Sequence, residues 1–284
     1  LYDNYSSNNL HSSIILHGPK GIGKKTFIKK FISQILKRDF DNRTYLHHIN
    51  LFNNNTHPNI KFLEKILDKK SKKLKSNITI DQIRGIKKFV KESPSIREFN
   101  KFIIIDSADD LNNSSANSFL KTLEEPYKNT FILLISHQLS SLLPTIRSRC
   151  LKIKFNKHNY ENFNKILKNQ ITEISDDESK FYYDLTNGSP GMSISLYRDN
   201  ILDIFDDTII LINSNNINNS SIELANFLSK LDNDKFKSYL FFLKTILIAL
   251  NKLKINDYKE DYYLSDKFKL LKNISENLTI KNII

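Results

Sequence analysis

The segment Gly18-Pro19-Lys20-Gly21-Ile22-Gly23-Lys24-Lys25-Thr26 carries the clearest chemical pattern in the chain. It nearly satisfies G-x-x-x-x-G-K-[ST], in which glycines let successive backbone N–H groups wrap a phosphate chain and a lysine reaches the terminal phosphates. Lys24 fills the lysine role, with Gly18, Gly21 and Gly23 around it. A Gly-rich turn without a ligand is the plain alternative, outweighed by the agreement of glycines, lysine and context. The departure comes after Lys24, where a hydroxyl should coordinate Mg²⁺. Lys25 stands there instead, and Thr26 follows one residue late. One residue turns a helix by about 100°, which aims Thr26 elsewhere, while a lysine at a metal-ligand position repels the cation. The phosphate cradle is retained; its metal position is not.

A second acidic position closes the apolar run Phe102-Ile103-Ile104-Ile105-Asp106. Such a strand-end aspartate holds Mg²⁺ through water in phosphate-loop enzymes. Ser107 follows it, and a hydroxyl with a pKa far above neutrality is a poor general base. Asp109 and Asp110 read as solvated turn acids leading into the next helix.

Strands and helices must alternate to hold these groups. Ser13–His17 reads as a buried strand running into the Gly-rich turn, and a helix follows over about 24–36 with Phe27, Phe31, Ile32 and Ile35 on one face. Thr79-Ile80-Asp81-Gln82 is a capping box, followed by Ile83, Ile86, Phe89 and Val90 at helical spacing. Strands over 101–106, 131–136 and 151–155, with a helix over 114–124 stopped by Pro126, complete an alternating order. All these strands are near-continuously apolar, as parallel strands covered on both faces are. Beyond His158 only helices are signalled, over 159–170, 178–186 and 192–197, broken at Gly188-Ser189-Pro190-Gly191. Asn213 to Ser221 reads as a loop opening a last helical region. The expected fold is α/β over 1–156, then a small helical domain over 157–205 and an all-helical domain over 206–284.

Bulk composition narrows the class. The 284 residues are 39% hydrophobic and 26% charged, as in a folded globular protein. Lys+Arg 43 against Asp+Glu 31 gives +12, which suits an anionic partner. Lys, Asn, Ile, Phe and Tyr are also what AT-rich codons specify, so the charge alone carries little weight. Cys150 stands alone, excluding an internal disulfide and a cysteine zinc cluster. The start Leu1-Tyr2-Asp3-Asn4-Tyr5-Ser6 lacks a signal-peptide pattern and an initial Met, and the most apolar run, 239–250, carries Lys244 and is too short to span a bilayer. A cytoplasmic protein is expected, with no membrane partner.

Two further segments carry a family resemblance. Asp106-Ser107-Ala108-Asp109-Asp110-Leu111 with Ala116-Asn117-Ser118-Phe119-Leu120-Lys121-Thr122-Leu123-Glu124-Glu125-Pro126, and then Leu143-Pro144-Thr145-Ile146-Arg147-Ser148-Arg149-Cys150, closely resemble bacterial clamp-loader subunits of the AAA+ family. Leu-Lys-Thr-Leu-Glu-Glu-Pro followed about two dozen residues later by Ser-Arg-Cys is highly specific. The Gly-Pro-x-Gly-Ile-Gly-Lys loop and Ser-Ala-Asp-Asp look like the delta-prime branch rather than the ATP-hydrolysing gamma/tau branch. The resemblance covers residues 12–155, with Gly188-Ser189-Pro190-Gly191 in support.

That resemblance implies an AAA+ phosphate-loop domain with a parallel sheet, a helical lid domain and a C-terminal collar domain. It implies a subunit that helps load a sliding clamp onto primer-template DNA beside gamma/tau-type and delta-type partners, without efficient ATP hydrolysis of its own. In this family the arginine of Ser-Arg-Cys acts in trans on a neighbour's ATP, a role that falls to Arg149, where a lone arginine would read as a surface salt bridge. Active AAA+ ATPases have Glu at the Ser107 position and an arginine after the Gly-Ser segment, where Met192 follows Gly191. Ser136 or His137 falls where the family places a sensing polar residue, an alternative to a solvent-facing strand end. ATP bound weakly, or at a neighbouring subunit's interface with Mg²⁺, is the cofactor implied. Residues 38–100 lack cysteine, so the zinc module of many relatives is not expected, and His47, His48 and His57 read as surface or loop histidines. Cys150 reads as a small buried hydrophobe. The competing reading is an active gamma/tau-type ATPase, which would have to compensate for Lys25, Ser107 and Met192. A stand-alone nucleic-acid-binding protein rests only on charge.

Overall fold

Apolar runs of five or six residues can be buried on both faces only if helices cover both sides of the sheet they form. The computed structural model, which describes residues 1–68, 74–204, 206–207, 222, 225–226 and 228–254, shows that arrangement. The chain divides into two compact units, Leu1–Asn156 and Lys157–Ile284. In the first, strands β1 (Ser13–His17), β2 (Ile60–Leu63), β3 (Lys101–Asp106), β4 (Thr130–Ser136) and β5 (Leu151–Lys154) form one parallel sheet in the order β2-β3-β4-β1-β5.

The helices of this unit are α1 (Tyr2–Ser6), α2 (Lys24–Asp39), α3 (Asn42–Asn53), α4 (Ile80–Lys91), α5 (Asn113–Glu124) and α6 (Pro144–Ser148). Alternate strand residues face opposite layers. Ile15, Ile103, Ile105, Ile132 and Leu134 pack with Ile83 and Ile86 of α4 and with Phe119 and Leu123 of α5. Their neighbours Ile14, Leu16, Phe102, Ile104 and Leu133 pack with Ile28, Phe31 and Ile35 of α2 and with Phe52 of α3. Edge strand β5 departs from the expected double coverage: Leu151 is 43% exposed. On α2 the buried face is rotated from the one read off the sequence. Ile28 enters the core, while Phe27 is exposed and meets Phe155 edge-on at 5.2 Å.

Local signals explain the helix starts. Thr79 and Gln82 cap α4 reciprocally as a capping box. Asp41 caps α3 by accepting from the N–H groups of Arg43 and Thr44. The second unit holds α7 (Tyr160–Lys168), α8 (Asp176–Leu185), α9 (Pro190–Arg198) and a long helix, Asn233–Lys254. Ser175 and Glu178 form a second capping box, on α8. Pro190 opens α9 at its first turn, so the helix starts ahead of Met192. Phe163, Leu167, Tyr182, Leu196, Tyr239 and Phe242 share one core, which therefore crosses the expected boundary at residue 205. The loop expected at 213–221 lies outside the described residues. No helix among the described residues is long and apolar enough to cross a membrane.

Of the histidines read as surface or loop residues, His47 is exposed on α3, whereas His48 of the same helix is half-buried and His57, in the segment before β2, is buried. His48 stacks on Phe40 at 4.0 Å, and His57 is buried beside Phe99 and His48. Burial, reinforced by His48 and His47, pushes the His57 pKa down to about 4 from the usual 6.5. The folded state then binds fewer protons than the unfolded state between these values. Stability is complete above 6.5 and falls as pH drops through the window, by on the order of 2–3 kcal/mol. Urea midpoints of the wild type should fall from pH 7 to pH 4.5, and His57→Gln should flatten that slope. Equal slopes would remove His57 from the acid response.

Candidate nucleotide site and the arginine rim

Register places the candidate groups at one level. His17 pairs with Ser136, and Asp106 with Ile135, so the ends of β1, β4 and β3 line up at the carboxyl edge of the sheet. Ligands of open α/β sheets bind outside this edge. From β1 the chain enters the phosphate loop, where Gly18, Gly21 and Gly23 all have positive φ. At Gly18 (φ +148°) a Cβ would lie 2.2 Å from the Phe155 carbonyl oxygen, so no side chain fits. Gly23, left-handed at φ +95°, turns the chain into α2, whose N-cap supplies no side-chain hydrogen bond.

Lys24 is buried, and its Nζ donates to the carbonyl oxygens of Gly18 and Pro19, each at 2.6 Å. Burial lowers its pKa to about 8, with Asp109 and Asp106 opposing the shift. Its ammonium is thus folded onto the loop it would serve, and a phosphate must displace two carbonyls to reach it. Lys25 points toward the strand ends. Its Nζ contacts Glu64 Oε1 at 2.6 Å and Asp106 Oδ2 at 3.3 Å. Burial alone would lower the Lys25 pKa, but the bonds to Glu64 and Asp106 outweigh it and raise the value. Thr26 is exposed, as its one-residue offset requires. A divalent cation does not fit this arrangement, because the Asp106 carboxylate that would hold it faces an ammonium.

Beside Asp106, Ser107 donates to Asp110 Oδ2 at 2.9 Å, and Asp110 pairs with Lys65 at 2.8 Å. Asp109 corrects the reading of a solvated turn acid. It is half-buried in the short 3₁₀ turn Ala108–Asp110, and it accepts from the Ser136 hydroxyl (2.9 Å), the N–H groups of His137 (2.6 Å) and Gln138 (3.2 Å), and the Ser141 hydroxyl (2.8 Å). Burial would raise its pKa, but these donors overcome that and lower it. Ser136 is fully buried, so the solvent-facing alternative for it does not hold.

Arg149 stands apart from this cluster, at the C-cap of α6. Nη2 pairs with Glu124 Oε1 at 2.8 Å and Nη1 donates to the Thr145 carbonyl at 2.9 Å, with the side chain 35% exposed. It borders an open groove of about 510 Å³ shared with His11, Ser12, Glu124 and Pro126. Next to it Cys150 is buried, and burial pushes its thiol up to about 12, which keeps it protonated and unreactive. No pattern in the sequence singles out Glu64 or the role of Glu124. Glu64 follows a four-residue strand containing Lys61, too short to register as an apolar run. Glu124 lies in plain view within Leu-Glu-Glu-Pro, but its partner is 25 residues away in sequence (149 − 124).

The family described as DNA polymerase III, delta subunit, matches residues 1–159, the sheet unit with all the groups above. The chain is similar to a DNA polymerase III subunit delta' of Pseudomonas aeruginosa, 34% identical over 141 residues, covering 49% of this chain and 41% of that protein. A subunit delta' of Haemophilus influenzae is 30% identical over 142 residues, covering 49% and 41%. A DNA polymerase III subunit gamma of Buchnera aphidicola is 34% identical over 125 residues, covering 43% and 34%. These matches span less than half the length of the relatives. The family match, by contrast, extends over more than half of this chain and includes both the phosphate loop and the Ser-Arg-Cys segment. The chain belongs to the DNA polymerase III delta-subunit family.

Proposed function

We propose that this chain is a delta-prime-like subunit of the DNA polymerase III clamp loader, working in the cytoplasm beside gamma/tau-type and delta-type subunits. In this reading it is a stationary member of the ring that places a sliding clamp on primer-template DNA. It donates Arg149 to a neighbour's ATP and hydrolyses little or none itself. The observation that carries the reading is the division of labour between two ends of the sheet unit. Ser107 follows Asp106 and spends its hydroxyl on Asp110, while Arg149 sits partly exposed at the rim, held by a surface carboxylate. A serine so engaged supplies no base for attack by water, whereas an always-charged guanidinium can meet a γ-phosphate. Nucleotide in the phosphate loop is bound weakly, since Lys24 must first leave two carbonyls. Contacts to DNA run through Lys and Arg to backbone phosphates and weaken with salt.

The test is reconstitution with gamma/tau-type and delta-type subunits. Clamp loading onto primed DNA should require this chain, and the purified chain alone should turn over no ATP. Turnover by the isolated chain that Lys24→Ala abolishes would put the gamma/tau-type reading in its place.

A further inference from the structure

Glu64 lies one residue beyond β2, and Asp106 ends β3, its neighbour in the sheet. The register Leu63↔Ile105 makes the next residue on each strand Glu64 and Asp106, so the two carboxylates emerge at one level. Neighbouring strands lie about 4.8 Å apart, a separation at which two carboxylates repel unless a cation lies between them. The Lys25 ammonium is that cation, 2.6 Å from one oxygen and 3.3 Å from the other. Its two bonds hold it charged despite its partial burial.

The pair is not a major source of stability. The side chains of Lys25 and Glu64 are each 41% exposed, and pairs so open to solvent contribute little. Its consequence is occupancy. Lys25 is fixed to the first turn of α2, so the ammonium is present at the carboxylates without being recruited from solution. A divalent cation entering the same space would have to displace it and then sit within a few ångström of its charge, and that repulsion opposes binding.

We infer that Lys25 is a tethered cation standing in the place of a divalent metal, and that Asp106 and Glu64 form a latent two-carboxylate metal site that opens when the ammonium is removed. Any phosphate-bearing ligand of the loop then binds without divalent metal. The carboxylate pair is a property of this chain alone, and its test does not depend on the clamp-loader reading.

The probe is Mn²⁺ alone, titrated into the full chain and followed by the loss of the free-ion electron paramagnetic resonance signal. Wild type and Lys25→Arg, which keeps the charge, should bind Mn²⁺ weakly and alike. Lys25→Met should bind it about tenfold or more tightly, because one repelling charge has gone, and Lys25→Ser should do the same. Adding Asp106→Asn to Lys25→Met should return binding to the wild-type level. Wild-type affinity equal to that of Lys25→Met, or no gain in either neutral variant with a wild-type thermal transition, would overturn the inference. A gain in Lys25→Arg would do so too, by showing that charge is not the gate. Clamp loading by the assembled complex is read separately, so failure here leaves the stationary-subunit reading standing, and the reverse also holds.

Discussion

An assembled loader carrying Arg149→Ala should lose roughly three orders of magnitude of DNA-stimulated ATP turnover at the neighbouring site, the lower end of what arginine fingers contribute. The local geometry makes this expectation specific. Arg149 is anchored by a bond from Nη1 to the Thr145 carbonyl, while Nη2 faces Glu124. A partly exposed ion pair contributes about 0–1 kcal/mol, so a polyphosphate of higher charge can replace Glu124 as the acceptor. The Thr145 bond meanwhile keeps the guanidinium at the rim. Lysine keeps the charge but loses the planar fork, so Arg149→Lys should fall between alanine and wild type. Glu124→Gln removes only the resting partner and should leave turnover within a few-fold of wild type, by the small worth of the exposed pair. Single-turnover hydrolysis in the reconstituted complex reads all three, and wild-type rates for Arg149→Ala would remove the trans role.

The parts of this molecule legible in sequence are those set by neighbouring residues. The strand Ser13–His17 and the strand ending at Asp106 are continuous apolar runs bounded by polar residues, and both fall where their pattern places them. The Thr79 capping box is a local hydrogen-bond pair, so its spacing suffices. The rotation of α2 is not legible in sequence because Phe27 and Ile28 are both apolar, and only packing against the sheet decides which is buried. Helix α3 is signalled only faintly: Asp41 caps it and Tyr45, Ile49 and Phe52 recur at helical spacing, but the positions between them are mostly polar. In the candidate site, the repulsion of a cation by Lys25 follows from residue type. That Lys25 is paired with both Asp106 and Glu64 follows only from adjacent strands. The burial of Asp109 is hidden from the sequence for the same reason: its four donors come from residues 136–141, brought close by β4 lying next to β3.

Those four donors make Asp109→Ala a large expected loss of stability for a polar position of the sheet unit. The carboxylate ties the turn after β3 to the end of β4. Its removal strands the hydroxyl of Ser136, which has no solvent exposure, together with the His137 N–H. Each buried group left without a partner costs about 1–3 kcal/mol, for a total near 3 kcal/mol, because Gln138 and Ser141 are exposed and regain water. Asp109→Asn should cost less, since its one amide oxygen can still accept while its NH₂ opposes a donor. Urea unfolding at pH 7 measures both. The pH dependence separates charge from shape. The folded pKa of Asp109 lies below the ordinary 3.8, so the carboxylate's stabilisation is complete above that value and is lost as pH falls through the folded pKa. The gap between wild type and Asp109→Ala should therefore stay constant from pH 7 to pH 5 and narrow below 3.8. A gap that persists undiminished at the acid end would mean that the donors hold the protonated acid as well as the anion, so that hydrogen bonding without charge holds the turn.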